Sequence, residues 1–104
     1  MIVGSFSRGS TPIHVFTLPF SIEEVADLRI VYKQNKNKVL SKEKKDVNIQ
    51  GNDVVLTLAQ EDTFLFNESD NVEVQLKVKT INDQVFNSDV MEMKITKALD
   101  DEVI

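Results

Sequence analysis

His14 is the only imidazole in this chain of 104 residues, and it stands inside an apolar alternation, STPIHVFTLPFS, residues 10–21. An imidazole can act as a general base, a proton shuttle or a metal ligand. Nucleophilic catalysis would require a serine or threonine hydroxyl beside it, because the chain has no cysteine. Neither a nucleophile-elbow motif nor a glycine-rich oxyanion loop accompanies it. As a metal ligand it lacks company: zinc sites take three or four donors, and the sequence offers no second imidazole and no thiolate. The reading is therefore of a chain with no catalytic residue, no metal site and no cofactor. On a strand, His14 shares one face with Phe16 and Leu18, while Ile13, Val15 and Thr17 share the other. That places it at the edge of a core, hydrogen-bonded to a backbone carbonyl or a loop carboxylate.

Other residue groupings carry less chemistry. Three glycines, Gly4, Gly9 and Gly51, cannot build a phosphate cradle. The segment NESDNVE has oxygen ligands at alternate positions. Aligned as a calcium loop from Asn67, however, it puts Val72 where a glycine must turn the chain and Val78 where a glutamate must close the site. The sequon Asn67-Glu68-Ser69 reads as turn chemistry. Glu61 with Asp62, and Asp100 through Glu102, read as loop and tail solvation.

Charge speaks to partners. The net charge of −5 argues against general binding to nucleic acid, which needs a basic footprint. The distribution is uneven: residues 1–52 hold eight Lys/Arg and five Asp/Glu, residues 53–104 four and twelve. Six of the ten lysines fall between Lys33 and Lys45, and the preferred reading is a solvated hairpin whose lysines discourage edge-to-edge pairing. No apolar run approaches the ~20 residues that span a bilayer. The start, MIVGSFSRGS, has no continuous apolar core and makes a poor secretory signal.

The elements that would position these residues follow a period of two. Strands are predicted at about 12–18, 27–34, 38–44, around Val47 and Ile49, at 53–59, from Val72 to Val78, and at 85–96. NKN at 35–37 and QGND at 50–53 supply turns. AQEDTFLF breaks the alternation and predicts one helical turn, with Phe64 or Leu65 plugging the bottom of the core. Seven short strands in about ninety residues predict an all-β fold, an immunoglobulin-like antiparallel β-sandwich. Residues 1–11 are expected as an N-terminal arm, 12–96 as the sandwich, and 97–104 as an acidic C-terminal tail. Ile2, Val3 and Phe6 could add a strand to a neighbour's sheet edge. In a helical tail Leu99 and Val103 would share one face.

Five segments carry a resemblance: RGSTPIHVFTLPF, VVLTLAQEDTFLF, NVEVQLKVKT, SDVMEMKIT and the terminal LDDEVI. In order and spacing they resemble small proteins encoded in the structural modules of tailed phages and prophages of Gram-positive bacteria. Those proteins look like R-G-T-T-P-T-H-x-F-x-L-P-F, then L-T-Q-E-E-T-L-x-F, V-E-I-Q-L-R-V, S-D and L-D-D-E-V-I; Ser10 stands where threonine is usual. More loosely, the chain is similar to the N-terminal sandwich domain of phage baseplate upper proteins. The resemblance implies a virion or tail-assembly component that acts by binding, assembled in the host cytoplasm. Its implied partners are other virion proteins or copies of itself, with no nucleic acid and no membrane. His14, Pro12 and Phe20 match the pattern and so become structural or docking candidates, joined by Leu99 and Val103 of the tail. The alternative is a freestanding peptide- or glycan-binding sandwich. Glycan sites favour exposed aromatic platforms, and this chain has no tryptophan and one tyrosine.

Overall fold

Val72, Val74, Leu76 and Val78 alternate with Glu73, Gln75, Lys77 and Lys79, and this alternation forms the central strand of the larger of two sheets. In the computed structural model, residues 2–104 are described, with the side chains of Ile2, Val3 and Ile22 left aside. Nine strands are present among them: β1 (Ile2–Ser7), β2 (Ile13–Thr17), β3 (Val25–Gln34), β4 (Asn37–Glu43), β5 (Asn48–Gln50), β6 (Asp53–Thr57), β7 (Val72–Thr80), β8 (Val85–Asn87) and β9 (Met91–Thr96). One α-helical turn, α1 (Gln60–Thr63), and two 3-10 turns, Ile22–Glu24 and Lys44–Asp46, interrupt them.

The larger sheet runs β1-β9-β7-β3-β4, with β8 also paired to β7, and the smaller runs β2-β6-β5. Registers bring inward side chains opposite one another: Ile30 against Leu76, Tyr32 against Val74, and Gln34 against Val72. Across the sandwich they meet Phe16, Val54, Leu56 and Leu58, all buried. Each such aliphatic side chain contributes on the order of 1.5–3 kcal/mol relative to leaving it in water. A pattern legible at period two therefore sets both which face is core and which register forms.

Three expectations are corrected. The expected N-terminal arm is not free over its described part: Ile2–Ser7 pair in parallel with β9 of the same chain, and Phe6 is buried. The pair is stabilised because an inward Phe at position 6 brings its ring to the aromatic cluster described below. The idea that Ile2 and Val3 present their side chains to a neighbour lies outside the described residues. The long strand at 85–96 is two strands, because Ser88 takes over the backbone groups of Leu76. Its N–H donates to the Leu76 carbonyl and its hydroxyl accepts from the Leu76 N–H at 3.0 Å, turning the chain out of the ladder. The core plug is Phe66, not Phe64 or Leu65. After α1, the tight turns Leu65 N–H to Asp62 and Phe66 N–H to Thr63 bring Phe66 over the core. Leu65 is left 58% exposed.

The hairpin at Asn35–Asn37 forms as expected, with positive φ at Asn35 and Lys36, as a primed turn requires. At the end of the molecule where β1 stops and β2 starts, Gly9 adopts φ +76°, and a Cβ there would overlap the Phe64 ring. Gly51 has φ +63° but open space around it. Gly51→Ala should therefore cost only the left-handed strain, about 1–2 kcal/mol. Gly9→Ala should cost clearly more, because Phe64 must also move. Paired chemical-denaturation curves check this, and equal losses at the two sites would contradict the close approach.

Candidate functional site

His14 and Tyr32 reach the interior from opposite sheets because both sit at inward positions of their strands. The parity that puts Phe16 and Leu18 in the core turns His14 inward on β2, and the parity of Leu28 and Ile30 does the same for Tyr32 on β3. His14 Nδ1 lies 2.7 Å from the Tyr32 hydroxyl. Tyr32 is wholly buried, and His14 is the hydrogen-bond partner of its hydroxyl. A buried O–H left without an acceptor costs about 1–3 kcal/mol. The phenol therefore donates to Nδ1, and the ring proton of the neutral imidazole resides on Nε2. His14 thus bonds within its own sandwich, and its partner is a phenol rather than the carbonyl or carboxylate expected from the sequence.

Two further rings complete the cluster. Phe6 of β1 lies 5.3 Å from the His14 ring, and Phe66 stands edge-on to both Phe6 and Tyr32 at 5.5 and 5.8 Å. Burial holds the His14 imidazole below its ordinary pKa of 6.5. Tyr32 is pushed above the usual phenol range, by burial first and by the negative charge of Asp62 second. Asp62 is itself positioned by α1: it accepts from the Ala59 N–H at 3.1 Å and pairs with Lys42 of β4 at 3.0 Å.

His14 also borders a shallow cleft of about 290 Å³ on the open side of the sandwich, between β1 and β9 on one wall and β2 on the other. Met91 and Met93 line it, with Gly4, Ser5 and Pro12. Two other clefts, of about 250 and 280 Å³, lie on the outer face of the larger sheet. Asp27, Arg29, Lys77 and Lys79 line the first, and Lys33, Glu73 and Val90 the second. Among the described residues, no group of three or more His, Asp or Glu side chains is arranged to hold a metal ion. No serine or threonine hydroxyl among them bonds to His14.

The other candidates are scattered. Pro12 opens β2 next to His14, and its carbonyl accepts from the Leu58 N–H at 3.0 Å. Phe20 lies past the far end of β2 and packs edge-on against Phe86 at 5.6 Å. Leu99 and Val103 do not share a helical face, since residues 97–104 contain no helix; Leu99 is 98% exposed. The tail is nevertheless tied down. Arg8 reaches Asp101 at 3.2 Å, and the Gln60 amide exchanges two hydrogen bonds with the backbone of Ile104.

Two structural anchors were not singled out from the sequence. Arg8 donates to the Phe66 carbonyl at 2.8 Å and the Phe64 carbonyl at 3.3 Å, with its guanidinium over the Phe64 ring. Gln34, buried at the end of β3, bonds the carbonyls of Asn67 and Asp70 and the Asn67 N–H. The signal for Gln34 was available: it continues the inward parity of Ile30 and Tyr32, and a buried amide must find partners. The Asn67 side chain accepts from Ser69 and from the Asp70 N–H, so the sequon segment is a side-chain-stabilised turn.

No family model matches the chain, and no curated protein does. Among solved structures, the chain is similar to the extracellular domain of mouse leukocyte-associated immunoglobulin-like receptor 1, crystallised as a strand-swapped dimer. The identity is 10%, with 90% of this chain and 87% of the other covered and a TM-score of 0.52. A second structure of the immunoglobulin-like domain of that receptor, also a strand-swapped dimer, gives 11% identity, coverages of 89% and 86%, and a TM-score of 0.51. The protein is an all-β, immunoglobulin-like sandwich. Its strand pairing is antiparallel except between β1 and β9.

The sole histidine makes a clear pH readout. Its imidazole binds a proton less readily in the folded chain than in the unfolded one. The unfolded state therefore takes up more protons as pH falls through about 6.5, and stability present above that pH is lost below it. Thermal melts should show lower stability at pH 5.5 than at pH 7.5, and His14→Gln should remove most of that difference. An unchanged slope in His14→Gln would contradict the assignment. For Tyr32, the only tyrosine, phenolate absorbance should appear well above the ordinary pKa of 10.

Proposed function

We propose that the protein is a non-enzymatic structural or accessory module of a phage tail or baseplate-type assembly, working through protein–protein contacts that include self-association. The observation that carries this reading is the β2 side of the smaller sheet. Ile13 and Val15 are 63% and 55% exposed there, on a strand paired on one side only among the described residues. Exposed apolar side chains on an open strand edge favour association with another chain. His14, the chain's only imidazole, is committed to Tyr32 and the aromatic cluster, which supports a binding role over a catalytic one.

The phage part of the reading rests on the resemblance alone. Arg8, Gly9 and Pro12 lie at the end of the sandwich where β1 gives way to β2, and His14 and Phe16 turn inward along β2. Arg8 fixes the loop after α1, Gly9 admits Phe64, and His14 and Phe16 enter the core. The receptor domains of similar fold were crystallised as strand-swapped dimers, which is compatible with self-association through strands in this chain.

Light scattering on the purified protein should give a mass above that of one chain, rising with concentration. Mass spectrometry of purified phage particles from a host carrying the gene should detect the protein. A strict monomer that is also absent from particles would overturn the proposal.

A further inference from the structure

We infer that β2 pairs antiparallel with β2 of a second copy across a two-fold axis centred on Val15, joining the two smaller sheets into one. This names the surface for the self-association proposed above and rests on that reading. Ladder parity establishes which groups are free. The Pro12 carbonyl and the Leu18 N–H both bond toward the β6 side, to Leu58 and Asn52. Even-numbered residues of β2 therefore point their backbone groups at β6, and those of Ile13, Val15 and Thr17 point to the open edge. Their side chains stand on the outer face of the sheet, exposed.

The occupant is a second copy because the edge is self-complementary. With the axis at Val15, that residue faces its own counterpart, and Ile13 faces the counterpart of Thr17. Each of these three pairs then exchanges two backbone hydrogen bonds. The side chains brought together are β-branched, which suits cross-strand pairing. Charge also selects this surface. A protein of net charge −5 repels itself over most orientations. On this face Ile13, Val15 and Thr17 adjoin Thr57, Val55 and Asp53 of β6, and Asp53, the one charge among the six, accepts a hydrogen bond from Thr17. The outer face of the larger sheet, in contrast, carries the charges that line its two clefts.

The other edges are defended. β4 carries Lys38 and Lys42, β5 and β8 are three residues long, and β1 has a register irregularity between Ile2 and Gly4. Lysines, shortness and bulges are the usual means of blocking edge pairing. Pro19, the next odd-numbered position after Thr17, has no N–H to offer the open edge, which stops the free ladder at Thr17 and favours one register. So short a ladder falls below the ~800 Å² per partner of a standard interface, and the dimer should depend on concentration.

The natural absence of cysteine allows a direct test. Opposed residues of a hydrogen-bonded pair have Cα atoms about 5.5 Å apart, within disulfide reach. Val15→Cys in the full chain should oxidise to a covalent dimer, while Ser5→Cys on the β1 edge should remain monomeric on a non-reducing gel. Val15→Lys should weaken dimerisation at least tenfold by light scattering, with an unchanged circular dichroism spectrum and melting temperature. Cross-linking at Ser5 in place of Val15, or a dimer that forms equally well in Val15→Lys, overturns this surface and leaves self-association standing. A wild-type protein that is monomeric at every concentration overturns both.

Discussion

Two sheets without a disulfide must be held together by what meets between them, and here one hydrogen bond organises that space. The Tyr32 hydroxyl and His14 Nδ1, 2.7 Å apart, join an interior strand of the larger sheet to the edge strand of the smaller one. In antibody domains a tryptophan packs on a disulfide that links the two sheets. In this chain a tyrosine and a histidine bring polar atoms inward, and each relieves the other's burial. The bond itself contributes about 1 kcal/mol net, but losing either partner leaves the other's polar atom without a match. Its stronger effect is directional. It fixes how far β2 slides against β3, and so where Phe6, Phe66 and the loop after α1 can pack.

From that bond the rest of one end of the molecule follows. Phe66 can stand edge-on to Tyr32 only if the chain turns tightly after α1, and the Arg8 guanidinium holds the carbonyls of that turn. Arg8 lies in the connection from β1 to β2; its backbone N–H donates to the Thr96 carbonyl of β9, and its side chain brings Asp101 of the tail over the loop. Gly9 gives Phe64 room, and Asp62 ties α1 to Lys42 of β4. The closed end thus depends on a few polar side chains, each satisfied by backbone or by an opposite charge. The open side, where β1 and β2 are neighbouring edges, is where the molecule still presents backbone and apolar side chains outward.

Much of the architecture was legible in the sequence, for a physical reason. Where a strand has one wet face and one dry face, alternation announces both its existence and its orientation, as in β7, β6 and β2. The two-sheet sandwich and the inward placing of His14 followed from that alone. What was not legible depends on contacts distant in sequence. The parallel pairing of β1 with β9 joins residues some ninety positions apart and leaves no periodic trace in a six-residue strand containing Gly4. The break at Ser88 arises from a hydroxyl competing for the backbone of Leu76. Phe64, Leu65 and Phe66 are equivalent by composition, and only the geometry of the turn after α1 chooses among them. The partner of His14 was a phenol across the sandwich, and the expected docking set of Pro12, His14, Phe20, Leu99 and Val103 is spread over three regions rather than gathered into one site.

His14 and Tyr32 act as one unit between the sheets. A double-mutant cycle with His14→Phe, Tyr32→Phe and the combined variant, read as unfolding free energies at pH 7.5, measures that coupling directly. Each single variant should be destabilised, and the double variant should lose less than their sum, with a coupling on the order of 0.5–3 kcal/mol. Strictly additive losses would mean that the two side chains pack independently, and would contradict it.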